Sequence, residues 1–171
     1  PTMTKQRLTD RFRYLWTWEL LNALVVFPGF IYIIGRTLPV GFATILATVT
    51  MCCLLIVGSV FAFLKYRDLK LGTRLVQRTS GGFCVLKRAI PVLLVAVFVI
   101  GSIHTVATGA RDWPLALVLY VLAVLEYINY FHIQLMYDSP REIGHLRQHR
   151  RLKRGLIARH VAGECGELSH S

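Results

Sequence analysis

Glu126, Asn129, Tyr130, His132 and Gln134 all fall within one apolar stretch, Trp113 to Tyr137, where Glu126 is the single formally charged residue. A carboxylate, an amide, a phenol and an imidazole in apolar surroundings have three chemical uses. They can bind or relay a proton or cation, act as acid and base on a lipid-like substrate, or hydrogen-bond to a neighbouring helix. On an ideal helix these groups, with Tyr127 and Tyr137, cover rather more than half of the circumference. A helix so decorated cannot turn that arc to lipid. It must face other helices, another subunit or water. The half of the stretch before Glu126 is uniformly apolar, so the polarity is confined to the second half.

A second, smaller polar set lies near the N-terminus. Glu19 and Asn22 follow the alternating basic and apolar run Thr4 to Trp18, and Pro28-Gly29 follows them. Two roles are open to Glu19. It can pair with a headgroup-level cation such as Arg11 or Arg13, or it can add to a polar pocket with the fourth stretch. Proline lacks a backbone donor and crowds the carbonyl four residues back, here Leu24, so a kink is expected at Pro28-Gly29. Counting along the spans puts that kink at about the depth of Glu126.

The elements that carry these residues are membrane spans. The 171-residue chain is 54% hydrophobic with mean hydropathy +0.52, too apolar for a soluble domain of this size. A span needs roughly 20 apolar residues at about 1.5 Å rise each. Four stretches qualify, at about 15–36, 38–64, 89–110 and 113–137. The fold class expected is therefore all-α, a polytopic membrane protein with four transmembrane helices in a bundle. The first stretch is too long for a signal-peptide core and lacks a small-x-small cleavage site, so it reads as a resident span. Ala43 and Ala47, Thr44 and Thr48, Gly58 and Ala62, and Gly101, Thr105 and Gly109 recur at four-residue spacing. Such stripes let helices approach closely. Pro39 suits a first helical turn. His104, near the end of the third span opposite His132, argues against a haem held by the two histidines.

The net charge of +11 invites a nucleic-acid partner, but its placement explains it better. Eighteen of the twenty basic residues lie before the first span, between the second and third, or after the fourth; Arg36 and Arg111 are the exceptions. In a four-span topology those three segments share one side, which is the positive-inside pattern. Both termini and the 65–88 loop are therefore expected in the cytoplasm, in a bacterial inner membrane. Within that loop Thr79-Ser-Gly-Gly82 is expected to break the helix. The tail, 138–171, opens with the capping pattern Ser139-Pro140-Arg141-Glu142. An amphipathic helix over about 140–162 is expected on the inner leaflet, with Arg147, Arg150, Arg151, Lys153 and Arg154 on anionic headgroups. No sequence-reading element supports nucleic acid as a partner.

Cys52 and Cys53 lie within the second span and read as small hydrophobes. Cys84 and Cys165 read as reduced cytoplasmic thiols. No metal or cofactor is implied, and H-E-x-x-H, G-x-S-x-G and paired-carboxylate spacings are absent. Catalysis is the weakest of the three uses. Two remain: an oligomeric transport or channel subunit with Glu126 at its site, or a non-catalytic structural or regulatory subunit. The latter would bind a membrane-protein partner through the fourth span and the basic face.

Overall fold

A computed structural model describes residues 5–133 and residue 157. The described chain is a helical bundle. α1 (Lys5–Leu21) runs through a π-helical turn at Asn22–Val26 into α2 (Phe27–Ile34), and α3 (Phe42–Leu71), α4 (Leu75–Thr108) and α5 (Trp113–Phe131) follow. Lys5–Ile34, α3, α4 and α5 are each long and apolar enough to cross a membrane. Four-span, all-helical architecture is thus as the hydropathy requires.

α3 is the hub. It packs along α1, α4 and α5, while α1 and α5 make their main contacts with α3 rather than with each other. The reason is its composition. Ala43, Ala47, Gly58, Ala62 and the threonines are buried on several sides, so neighbouring backbones can come close around most of the helix. Thr48 and Thr50 donate their hydroxyls back to the Thr44 and Leu46 carbonyls at 2.7 and 2.8 Å, so burial leaves neither hydroxyl unpaired.

The π turn is the form taken by the irregularity expected at Pro28-Gly29. π bonding joins each carbonyl to the N–H five residues on, and Phe27 N–H donates to Asn22 O. That pattern suits Leu24, whose ordinary donor would be the nitrogen of Pro28. Asn22 thus enters the structure as the first residue of this turn.

Three expected boundaries move. α3 begins at Phe42, after Pro39, with Gly41 in extended conformation at its N-cap. Thr79 to Gly82 do not break a helix but lie inside α4. Val76, Ser80, Phe83 and Cys84 form a buried face there, and the Phe83 ring meets Phe61 of α3 edge-on at 5.4 Å. Packing of that face outweighs the roughly 1 kcal/mol helix cost of each exposed glycine. The reversal comes instead at Gly72, which closes α3 at φ 70°, a left-handed conformation that favours glycine. Helices of 30 and 34 residues are about 45 and 51 Å long, against about 30 Å of hydrocarbon. The basic 65–88 segment is therefore a helical hairpin that extends both spans. Gly109 likewise closes α4 at φ 64° rather than extending the small-residue face of Gly101, which does pack on Ala43.

The aromatic residues Tyr14, Trp16 and Trp18 of α1 divide between two faces. Tyr14 and Trp18 are exposed and stacked on each other, but Trp16 turns inward to meet Phe63 edge-on at 5.5 Å.

A further correction concerns the tail. Ile157 is a turn residue, not helical. Its side chain is 1% exposed within the core, and its N–H donates to the Tyr130 carbonyl at 3.1 Å. At this one residue the tail packs on the bundle. The rest of the expected 140–162 helix, with Arg147, Arg150, Arg151, Lys153 and Arg154, lies outside the described residues. Cys84, in the same core cluster as Ile157, is disulfide-bonded to a residue outside the described ones, while Cys52 and Cys53 are free. The expected reduced thiol at 84 is overturned because the chain returns to this end of the bundle, which no local pattern announces.

Candidate functional site

Gly58 is the floor of the site. Packing of α1 on one side of α3 and α5 on the other brings Glu19 and Tyr130 onto it together. A methyl group added at Gly58 would collide with the Tyr130 ring and hydroxyl, and would stand 2.7 Å from Glu19 Oε2. Only a residue without Cβ lets both side chains meet here. One residue along α3, Ser59 donates its hydroxyl to the Trp16 carbonyl at 2.9 Å. That bond fixes the register of α1 one turn before Glu19.

Tyr130 is 2% exposed. Its hydroxyl faces the carboxylates of both Glu19 and Glu126, and Asn129 acts on Glu126 from the same helix. The hydroxyl is shared between the two acids as a side-chain hydrogen-bonding neighbour of both, in an orientation that closes a regular bond with neither. Glu19 Oε2 and Tyr130 Oη are both buried without a hydrogen-bond partner. Buried polar atoms are nearly always satisfied, and two such atoms side by side mark an oxygen cluster that is chemically incomplete. Among the described residues no group of three or more His, Cys, Asp or Glu could hold a metal ion. The cluster offers carboxylate and phenol oxygens instead, with the Asn129 amide donating to Glu126.

Of the residues singled out in the fourth span, Glu126, Asn129 and Tyr130 come together with Glu19 of the first. His132 does not. It lies just past α5, exposed, with Nε2 3.2 Å from Tyr127 Oη. That hydroxyl donates to the Lys87 carbonyl of α4 at 3.0 Å, so the imidazole must supply the other proton from Nε2. Gln134 and Tyr137 lie outside the described residues. Glu19 turns to Tyr130 and Glu126. Its partners are on α5 because the face of α1 that carries it is the face packed on α3.

Two acids that positional patterns passed over have clear structural work. Asp112 precedes α5 in sequence but serves α3. Its Oδ2 accepts the N–H groups of Gly41 and Thr44 at 3.1 and 3.0 Å and the Thr44 hydroxyl at 3.1 Å. A carboxylate at a helix N-terminus satisfies free donors and opposes the helix dipole. At the basic end, Asp68 does the same for α4, accepting from Leu75 N, Val76 N and the Thr73 hydroxyl at 2.7, 2.9 and 2.7 Å. The available signal was their position: each is an Asp just before a helix start, though Asp112 caps a different helix from the one it precedes. An apolar cleft lined by Ala43, Gly101, Trp113 and Tyr120, among others, lies in the opposite half of the bundle from Glu126 and adds no acid to the cluster.

No protein-family model, curated protein or solved structure matches the chain, so what can be said of this integral membrane bundle rests on the convergence of Glu19, Glu126 and Tyr130 over Gly58.

Proposed function

We propose that the chain is a small membrane transport subunit in which Glu19, Glu126 and Tyr130 bind and release a cation or proton within the bundle. The observation that carries this is a buried tyrosine shared by two carboxylates, with Glu19 Oε2 and Tyr130 Oη left without a regular hydrogen bond. Carboxylates within a bilayer are costly and usually mark an ion or proton path. A purely structural contact would be expected to close its hydrogen bonds, because an unsatisfied buried group costs about 1–3 kcal/mol. In this proposal the basic end, with the hairpin around Gly72, faces the cytoplasm against anionic headgroups.

The test is ion flux into liposomes reconstituted with the purified protein. Glu19→Gln and Glu126→Gln should each lower flux by at least about tenfold, the equivalent of one 1.4 kcal/mol interaction. Normal flux in both variants, each shown to be folded, would sink the proposal.

A second reading has one observation behind it. α4 turns Val92, Val95, Val99, Ile103 and Val106 outward, a face able to meet lipid, another copy or a partner protein. A structural or regulatory subunit would use that face. It predicts co-purification that survives Glu126→Gln, since Glu126 points into its own bundle.

A further inference from the structure

We infer that the Glu19–Glu126–Tyr130 cluster is a binding site for one small, hard monovalent cation of the size of Na+. This rests on the intramembrane site proposed above and names its ligand class. Four observations lead to it.

First, the ligand atoms are all oxygen: two carboxylates and the Tyr130 phenol, with the Asn129 amide donating to Glu126. Oxygen donors select hard cations, and a cluster without sulfur or imidazole disfavours zinc and copper. His132, the nearest imidazole in sequence, is committed to Tyr127.

Second, the space is small. The Tyr130 hydroxyl and Glu19 Oε2 both crowd the position where a Cβ on Gly58 would stand. Groups crowded this closely exclude an organic ammonium with its substituents and leave a bare ion as the smallest candidate.

Third, the donor count is low. Ca2+ takes six to eight oxygens, and Mg2+ demands a near-ideal octahedron and keeps several waters. Three oxygen-bearing side chains over a helix floor, with no three-acid group among the described residues, are too few for either. A monovalent ion needs fewer ligands and accepts a neutral hydroxyl oxygen beside a carboxylate.

Fourth, the site has an unpartnered polar atom aimed into it. Tyr130 is 2% exposed, and its Oη, between the two acids, closes no regular hydrogen bond with either. A cation between the acids would take a lone pair of that hydroxyl and leave its proton for one carboxylate. Both orphaned atoms would then be satisfied by a single ligand.

The experiment measures thermal unfolding of the purified full chain in detergent, in NaCl, LiCl, KCl and CaCl2, each against choline chloride at equal ionic strength. Na+ should raise the midpoint saturably, by roughly 5 °C at a hundredfold excess over Kd. Radiolabelled Na+ should bind the wild-type chain at one ion per chain. Glu19→Gln and Glu126→Gln should weaken that binding at least about tenfold, and Tyr130→Phe should weaken it less. Equal midpoints in Na+ and choline, stabilisation by Ca2+ but not Na+, or undiminished Na+ binding in both Gln variants would each overturn the inference. Should the variants fail to fold, absence of saturable labelled Na+ binding to the wild type overturns it alone. Binding without flux supports the ion site while removing the transport role. Flux that depends on Glu126 but is indifferent to Na+ keeps transport and overturns the ion assignment.

Discussion

The hydroxyl of Tyr127 on α5 donates to the carbonyl of Lys87 on α4 at 3.0 Å, and Lys87 stands four residues before Pro91, the proline inside α4. Proline at that position deprives the Lys87 carbonyl of its helical donor. One helix therefore completes the hydrogen bonding that another cannot. α4 touches α5 much less than it touches α3, so this bond is a principal tie between the two.

Tyr127→Phe should cost about 1 kcal/mol, as losing a part-buried hydrogen bond does. In a Pro91→Ala background the restored N–H can take the Lys87 carbonyl, and the same substitution should then cost under about 0.5 kcal/mol. Denaturant unfolding of the four proteins forms a double-mutant cycle. Equal costs in both backgrounds would show that the bond does not serve the proline.

The glycines of the chain should respond to alanine with opposite signs. Gly58→Ala forces a collision with Tyr130 and should lower stability by about 1–3 kcal/mol, as overpacking does. Gly81 and Gly82 are exposed within α4, and a Cβ at either would stand in open space. Gly81→Ala and Gly82→Ala should each raise stability by about 0.5–1 kcal/mol through lower unfolded-state entropy. A shared sign across the three variants, measured by thermal unfolding, would contradict this packing of α3 against α5.

Asp112→Ala should cost about 1–3 kcal/mol, since it orphans the Gly41 and Thr44 N–H groups at the start of α3 while the Thr44 hydroxyl keeps the Asp112 carbonyl, and Asp68→Ala about 1 kcal/mol at the more exposed start of α4. The two acids sit at opposite ends of the bundle, so the double variant should show the sum within about 0.5 kcal/mol. Strong coupling between them would mean that the ends do not behave as separate clasps.

Thiol counting checks the link at Cys84. The denatured, unreduced chain should react with maleimide at two of its four cysteines, the free pair Cys52 and Cys53. After reduction all four should react. Four reactive thiols before reduction would exclude the disulfide.

Hydropathy located all four spans because crossing a bilayer is a property of about 20 consecutive residues and needs no knowledge of neighbours. The same local logic explains why Glu126, Asn129 and Tyr130 stood out: a wide polar arc on an apolar helix is visible along one stretch. It also explains the misplaced break at Thr79–Gly82. Glycine propensity is local, whereas the packing of Val76, Phe83 and Cys84 that holds α4 helical comes from α3 and the end of the bundle.

Local pattern alone is enough for a four-helix membrane protein, basic at one set of ends, whose last span is polar over its second half. It is not enough to make α3 the hub, to have Glu19 and Glu126 share one tyrosine, or to have Asp112 cap a helix it does not precede. Those follow from which faces of the helices meet and in what register. Gly58, a small residue in a stripe of small residues, reads locally as a place for close approach. Helix packing then selects what approaches, Glu19 from one side and Tyr130 from the other, because a missing side chain specifies room for a neighbour and not the neighbour's identity.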